Sequence, residues 1–195
     1  MIKDSVDVKT EAYENLFLPY GIQIARRVRQ HHEAHGGVSR FNKIPLYLEW
    51  AGQAATPEQI EECCQQFSQA VVQAVIDSPW VPGVREYLLK YYMEQYFVLV
   101  TATPQDEIEK ILASLKLSHC FREIFGAPTK KSQAVKAVLE RLKCSPDEAV
   151  MIGDSESDLL AAQVNSVPFL LRRTPLNEEL QATFQGSMFD DLNDE

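Results

Sequence analysis

Two hydrophobic grammars divide the chain. From about Asp4 to Ser78 apolar residues recur at helical spacing, and no segment reads as a strand. Asp4 or Ser5 can cap a first helix, whose apolar positions fall within 11–18. Pro19 and Gly21 interrupt it, and a second helix is predicted over 22–35, ended by Gly36-Gly37. Pro57 opens a third, which runs through Val71, Val72, Ala74 and Val75 and stops before Pro79. From Pro82 the pattern changes. Helices are predicted from Pro82-Gly83 through Tyr91, then over 105–115, Lys131–Leu142 and 155–164. Short apolar strands fall between them at 97–101, near 123–125, at 149–152 and at 168–171. The tail from Thr174 is polar and reads as a last helix with a loose acidic end. Apolar strands alternating with amphipathic helices imply an α/β fold, a parallel sheet covered on both faces.

Composition narrows the partners. The chain has 195 residues, of which 45% are hydrophobic and 24% charged, an ordinary globular balance. With 19 Lys+Arg against 28 Asp+Glu the net charge is −9, which argues against broad binding to nucleic acid or anionic membrane. A phosphorylated substrate is still permitted, provided a metal or a few local cations offset its charge. Apolar runs such as Tyr96-Phe97-Val98-Leu99-Val100 are strand-sized, well short of the ~20 residues of a membrane helix. The opening residues carry no apolar signal core. Cys63, Cys64, Cys120 and Cys144 form no CxxC pair, and reduced thiols in the cytoplasm are expected.

In an open parallel sheet, chemistry gathers beyond the carboxyl ends of the strands. Three segments lie there. Thr101-Ala102-Thr103-Pro104 offers a hydroxyl and backbone N–H groups to an anion, although plain capping by Thr103, with Pro104 at the first helical position, accounts for the same residues. Gly153-Asp154-Ser155-Glu156-Ser157-Asp158 places two carboxylates one helical turn apart, an arrangement that is costly unless they share a cation. Oxygen ligands beside a phosphate suit Mg²⁺; the alternative is a capping Asp154 and a solvated Asp158. Pro128-Thr129-Lys130-Lys131-Ser132 brings a lysine that could neutralise a phosphoryl oxygen, or a surface pair without a role.

Together these segments resemble the haloacid dehalogenase superfamily of phosphohydrolases, in particular its phosphoglycolate-phosphatase-like members with a helical cap. Thr101 after an apolar strand is similar to the family's second motif, Lys130 or Lys131 to the third, and Gly153-Asp154-Ser155-Glu156-Ser157-Asp158 to the fourth, GDSxxD. Pro82-Gly83-Val84-Arg85-Glu86-Tyr87-Leu88 resembles the usual lead into the second motif. The resemblance implies a Rossmann-like core of residues 1–4 and 81–195, with 5–80 inserted as the cap. It also implies that Thr101 and the Ala102 N–H bind the phosphoryl group, that Lys131, preferred to Lys130, stabilises its charge, and that Asp154 binds Mg²⁺. Asp158 then binds the metal through water or orients the lysine.

The family's first motif, DxDG, is not in the chain: no Asp-x-Asp occurs between Met1 and Glu49. Met1-Ile2-Lys3-Asp4-Ser5 fits the residues that follow that motif in the family. The expectation is a chain cut just past its nucleophile, short of a central strand, less stable than an upstream-extended form and inactive as a phosphatase. Genuine loss of the motif, leaving a noncatalytic remnant that binds phosphate or metal, is the other explanation, and a phosphomutase shares the motifs. A basic cluster, Arg26, Arg27, Arg29, His31, His32, His35, Arg40 and Lys43, stands out in an acidic protein. Gly36 to Lys43 resembles a loop of capped members, which makes Arg40 and Lys43 candidates to contact a small phosphorylated metabolite. The solvated-face alternative stands for Arg26, Arg27 and Arg29. His31 and His35 lack an evident third ligand for zinc. A monomer or a homodimer is expected.

Overall fold

These patterns resolve, in a computed structural model that describes residues 2–193, into a helical layer and an α/β layer. The helical layer consists of α1 (Val6–Phe17), α2 (Ile22–Ala34), α3 (Arg40–Trp50) and α4 (Pro57–Asp77). Its core is aromatic and aliphatic: Tyr13, Phe17, Val28, Ile44, Tyr47, Phe67 and Val71 are all buried. The start of α4 follows from sequence, with Pro57 at the first position and the Thr56 hydroxyl accepting from the Gln59 N–H at 3.3 Å. α3 departs from the expected loop. Ser39 caps it, its hydroxyl accepting from the Phe41 N–H at 3.4 Å, so Arg40 and Lys43 lie in helix. α3 carries Pro45 in its interior, where proline removes an internal hydrogen bond. Burial of Ile44, Tyr47 and Leu48 holds the helix in spite of that loss.

The layers are joined where two extended segments run antiparallel. Lys3 pairs with Trp80, the Asp4 N–H donates to the Pro79 carbonyl at 2.8 Å, and the Val81 N–H donates to the Ile2 carbonyl at 3.1 Å.

The α/β layer continues through α5 (Val84–Tyr91), β1 (Val98–Pro104), α6 (Gln105–Ser114), β2 (Glu123–Ala127) and α7 (Lys131–Leu142). It ends with β3 (Met151–Gly153), α8 (Glu156–Val164), β4 (Phe169–Arg172), α9 (Glu178–Thr183) and β5 (Met188–Phe189). The last strand was not expected; it pairs with β4 and ties down much of the tail, while the acidic Asp194 and Glu195 lie outside the described residues. A second core, including Val81, Val84, Leu88, Ile108, Leu112 and Leu117, packs α5 and α6 together.

The sheet is in two pieces. β1 pairs in parallel with β2, with Val98 opposite Glu123 and Val100 opposite Phe125. β3 pairs in parallel with β4, with Met151 opposite Phe169 and Gly153 opposite Leu171. Among the described residues β1 and β3 each have one edge without a strand partner. Both strands line one cleft of about 2080 Å³, well above the usual size of a small-molecule pocket.

Candidate active site

The site is built at the carboxyl ends of β1 and β3. β3 ends at Gly153, where a Cβ would run into the Asp158 side chain; the glycine lets α8 fold back tightly onto the strand end. The Ser155 carbonyl then accepts from the Asp158 N–H at 3.0 Å. Ser155, not Asp154, occupies the position that caps α8. Asp158 is not solvated: it is buried, its Oδ1 accepting from Lys131 Nζ at 2.7 Å and its Oδ2 from the Ser155 hydroxyl at 2.6 Å. Lys131, the first residue of α7, also donates to the Ser157 hydroxyl at 2.9 Å, whereas Lys130 is exposed. The like charges of Asp154 and Asp158 are thus offset by a lysine in direct contact with one of them.

Thr101 and Ala102 line the same cleft as Lys131, Asp154 and Asp158. Thr103 does not cap α6. Pro104 takes the position before the helix, and the Thr103 N–H instead donates to the Thr101 hydroxyl at 3.2 Å, which fixes that side chain. Asn177, which no sequence signal singled out, donates to the Asp154 carbonyl at 2.8 Å and to the Arg172 carbonyl at 2.9 Å. It locks the loop after β3 to the end of β4.

From the helical layer, Arg40 lines the cleft, but both oxygens of Glu107 hold its guanidinium at 2.7 Å. Lys43 is 1% exposed and sits behind the cleft, its Nζ 2.8 Å from His32 Nδ1. Arg26, Arg27 and Arg29 are exposed; Arg27 covers the Trp50 ring, and Arg29 pairs with Glu14 and Glu33. His31 and His35 stack with ring centroids 4.3 Å apart.

Burial acts strongly on the Lys43–His32 pair. It pushes the Lys43 amine down to about 7, with the Lys9 charge adding to the effect. It pushes His32 down to about 2, with Lys43 as the next cause. The unfolded lysine keeps its proton up to its ordinary pKa of 10.5, so between about pH 7 and that value the unfolded chain binds more protons. Stability therefore rises with pH across this window, by about 2–4 kcal/mol. Chemical denaturation from pH 7 to 9.5 checks this, and Lys43→Met is expected to flatten the rise. An equally steep rise in that variant would refute the assignment.

Among the described residues no three His, Cys, Asp or Glu side chains are grouped to hold a metal ion. With Asp158 engaged by Lys131 and Ser155, the donor set does not make an all-protein cage. It suits a hard cation held by one carboxylate together with phosphate oxygens and water, a coordination that Mg²⁺ accepts. No helix among the described residues is long and apolar enough to cross a membrane.

Residues 2–171 match the profile of the haloacid dehalogenase-like hydrolases. The phosphoglycolate phosphatase of Vibrio cholerae serotype O1 is 31% identical over 88 residues, 42% of this chain and 39% of that protein. The chain thus spans less than half the length of the curated relatives it matches. β-Phosphoglucomutase from Clostridium difficile superposes with a TM-score of 0.77 at 18% identity, covering 99% of this chain and 87% of that one. A hydrolase from Pseudomonas syringae superposes at 0.74 with 20% identity, covering 100% and 91%.

Proposed function

The chain belongs to the haloacid dehalogenase-like hydrolases, and on that premise we propose Mg²⁺-dependent phosphoryl transfer on a small phosphorylated metabolite, with hydrolysis as the outcome. One observation carries this reading. Thr101, Lys131 and Asp154 line one cleft at the carboxyl ends of β1 and β3, and Lys131 is already set by a buried aspartate. In this assignment the Thr101 hydroxyl and the Ala102 N–H bind phosphoryl oxygens, and Lys131 stabilises their charge. Asp154 would hold Mg²⁺, while Asp158 orients the lysine. The metal, when bound, supplies positive charge to the phosphoryl oxygens. Residues 5–80 act as a cap that selects the substrate. Arg40 lines the cleft from that cap, whereas Lys43 is buried against His32 and does not line it. We place the protein in the cytoplasm as a monomer or homodimer.

An aspartyl-phosphate mechanism needs a nucleophilic carboxylate. Since no Asp-x-Asp precedes Glu49, these 195 residues do not supply the family's usual pair. That observation favours a second reading, a chain that binds phosphate or metal without turnover.

Both readings predict binding. Mg²⁺ with inorganic phosphate, at about ten times Kd, is expected to raise Tm by about 3 °C. Asp154→Asn is expected to abolish the Mg²⁺-dependent part and Lys131→Met the phosphate-dependent part. Differential scanning calorimetry measures both, and an Asp154→Asn chain stabilised as fully as the parent would rule out the metal assignment.

A further inference from the structure

We propose that the Gly36-Gly37 turn, between α2 and α3, positions Lys131 through the hydroxyl of Ser157. Lys131 Nζ has three N–H bonds. One is given to Asp158 Oδ1 at 2.7 Å and one to Ser157 Oγ at 2.9 Å, and these two fix the direction of the third. Ser157 has a single hydroxyl proton, which it donates to the Gly37 carbonyl at 3.0 Å, across 120 residues of sequence. With that proton engaged, the oxygen presents only lone pairs to the lysine. The seat is tight: a Cβ on Gly37 would overlap the hydroxyls of both Ser155 and Ser157, so any side chain there lifts the turn. Once the turn lifts, the Ser157 proton can swing to Ser155 Oγ, 3.0 Å away, and its hold on the lysine is no longer fixed.

Ser157 is therefore a positioning residue. It makes the direction of the lysine's remaining donor depend on whether the helical layer is seated. The catalytic consequence rests on the reading that Lys131 meets a phosphoryl group. The linkage does not, and it can be measured without turnover.

The experiment is pulse acylation of the full chain with acetic anhydride, followed by peptide mass analysis. Gly37→Ala leaves Lys131 and Ser157 chemically intact, yet it is expected to speed acylation of Lys131 about tenfold, the effect of loosening one hydrogen bond to a charged donor. Ser157→Ala is expected to do the same, and Ser157→Thr to keep the parent rate. Lys43, 1% exposed, reports on the fold and stays unlabelled in every folded variant. Coupling is reciprocal, so Ser157→Ala must also speed amide exchange at residues 36–38. An unchanged Lys131 rate in a folded Gly37→Ala chain overturns the proposal. If Gly37→Ala unfolds the chain, unchanged exchange of the turn in Ser157→Ala overturns it instead.

Discussion

Replacing Glu107 by alanine is expected to cost about 3–5 kcal/mol of unfolding free energy. Glu107 and Arg40 have side chains 7% and 5% exposed and share two hydrogen bonds of 2.7 Å. Ser68 completes the group: its hydroxyl contacts Glu107 and accepts from Arg40 at 2.6 Å. The guanidinium also lies over the Phe67 ring, 4.5 Å from its centre. Without Glu107, a cation buried between α3 and α6 has no carboxylate to face, and that uncompensated charge dominates the cost. Removing both partners is a different matter. Arg40→Met with Glu107→Leu fills the same space without charge, and most of the stability is expected to return. Urea denaturation of the three variants distinguishes the cases. A Glu107→Ala loss below about 1 kcal/mol would place the pair among ordinary surface ion pairs. Because the pair bridges the two layers, the same loss also loosens the seat on which the Gly37 turn rests.

The second large effect concerns the cleft between β1 and β3. Assayed alone with Mg²⁺ and small phosphate esters, the 195-residue chain is expected to show no turnover above background, because the proposed chemistry lacks its carboxylate. Supplying an apolar strand that ends in Asp-x-Asp, fused ahead of Met1 or added as a peptide, is expected to raise turnover by roughly three orders of magnitude or more, the scale on which nucleophiles contribute. It should also stabilise the fold. Val150, Ile152 and Leu160 line this cleft with exposures of 58%, 38% and 60%, and among the described residues each flanking strand has one edge without a strand partner. An inserted strand would cover those side chains and pair both edges, at about 1 kcal/mol for each hydrogen bond. The same strand with its first Asp changed to Asn should stabilise without restoring turnover, which separates packing from chemistry. Robust Mg²⁺-dependent turnover by the 195-residue chain alone would defeat the prediction.

Much of this was legible in sequence where one local rule acted alone. The start of α4 followed from Pro57, and α7 was read with the bounds it has, Lys131–Leu142. The loop from Gly153 to Asp158 was legible from its two carboxylates one helical turn apart, and Lys131 pairs with one of them, Asp158. What stayed hidden depends on contacts between distant segments. No helix was read over α3, which carries Pro45 in its interior and is held by the burial of its apolar face. Arg40 and Lys43 read as candidates to contact substrate; the first is held by Glu107, 67 residues away, and the second is buried against His32. Ser157 sat inside a recognised motif, but its partner Gly37 lies in another layer. Asn177 acts through two backbone carbonyls, which no side-chain pattern marks.

The pairing of residues 2–4 with 79–81 has a consequence for how such a chain can change over time. The chain leaves the α/β layer and returns to it at one point, with Lys3 and Trp80 side by side. Everything between is a detour whose two ends already meet. Insertions, deletions or wholesale exchange of that detour leave the path of the strands undisturbed. On the proposed assignment, changes in the detour alter substrate preference, and the Arg40–Glu107 pair and the Gly37 turn are the contacts such changes must keep if the phosphate site is to stay as it is.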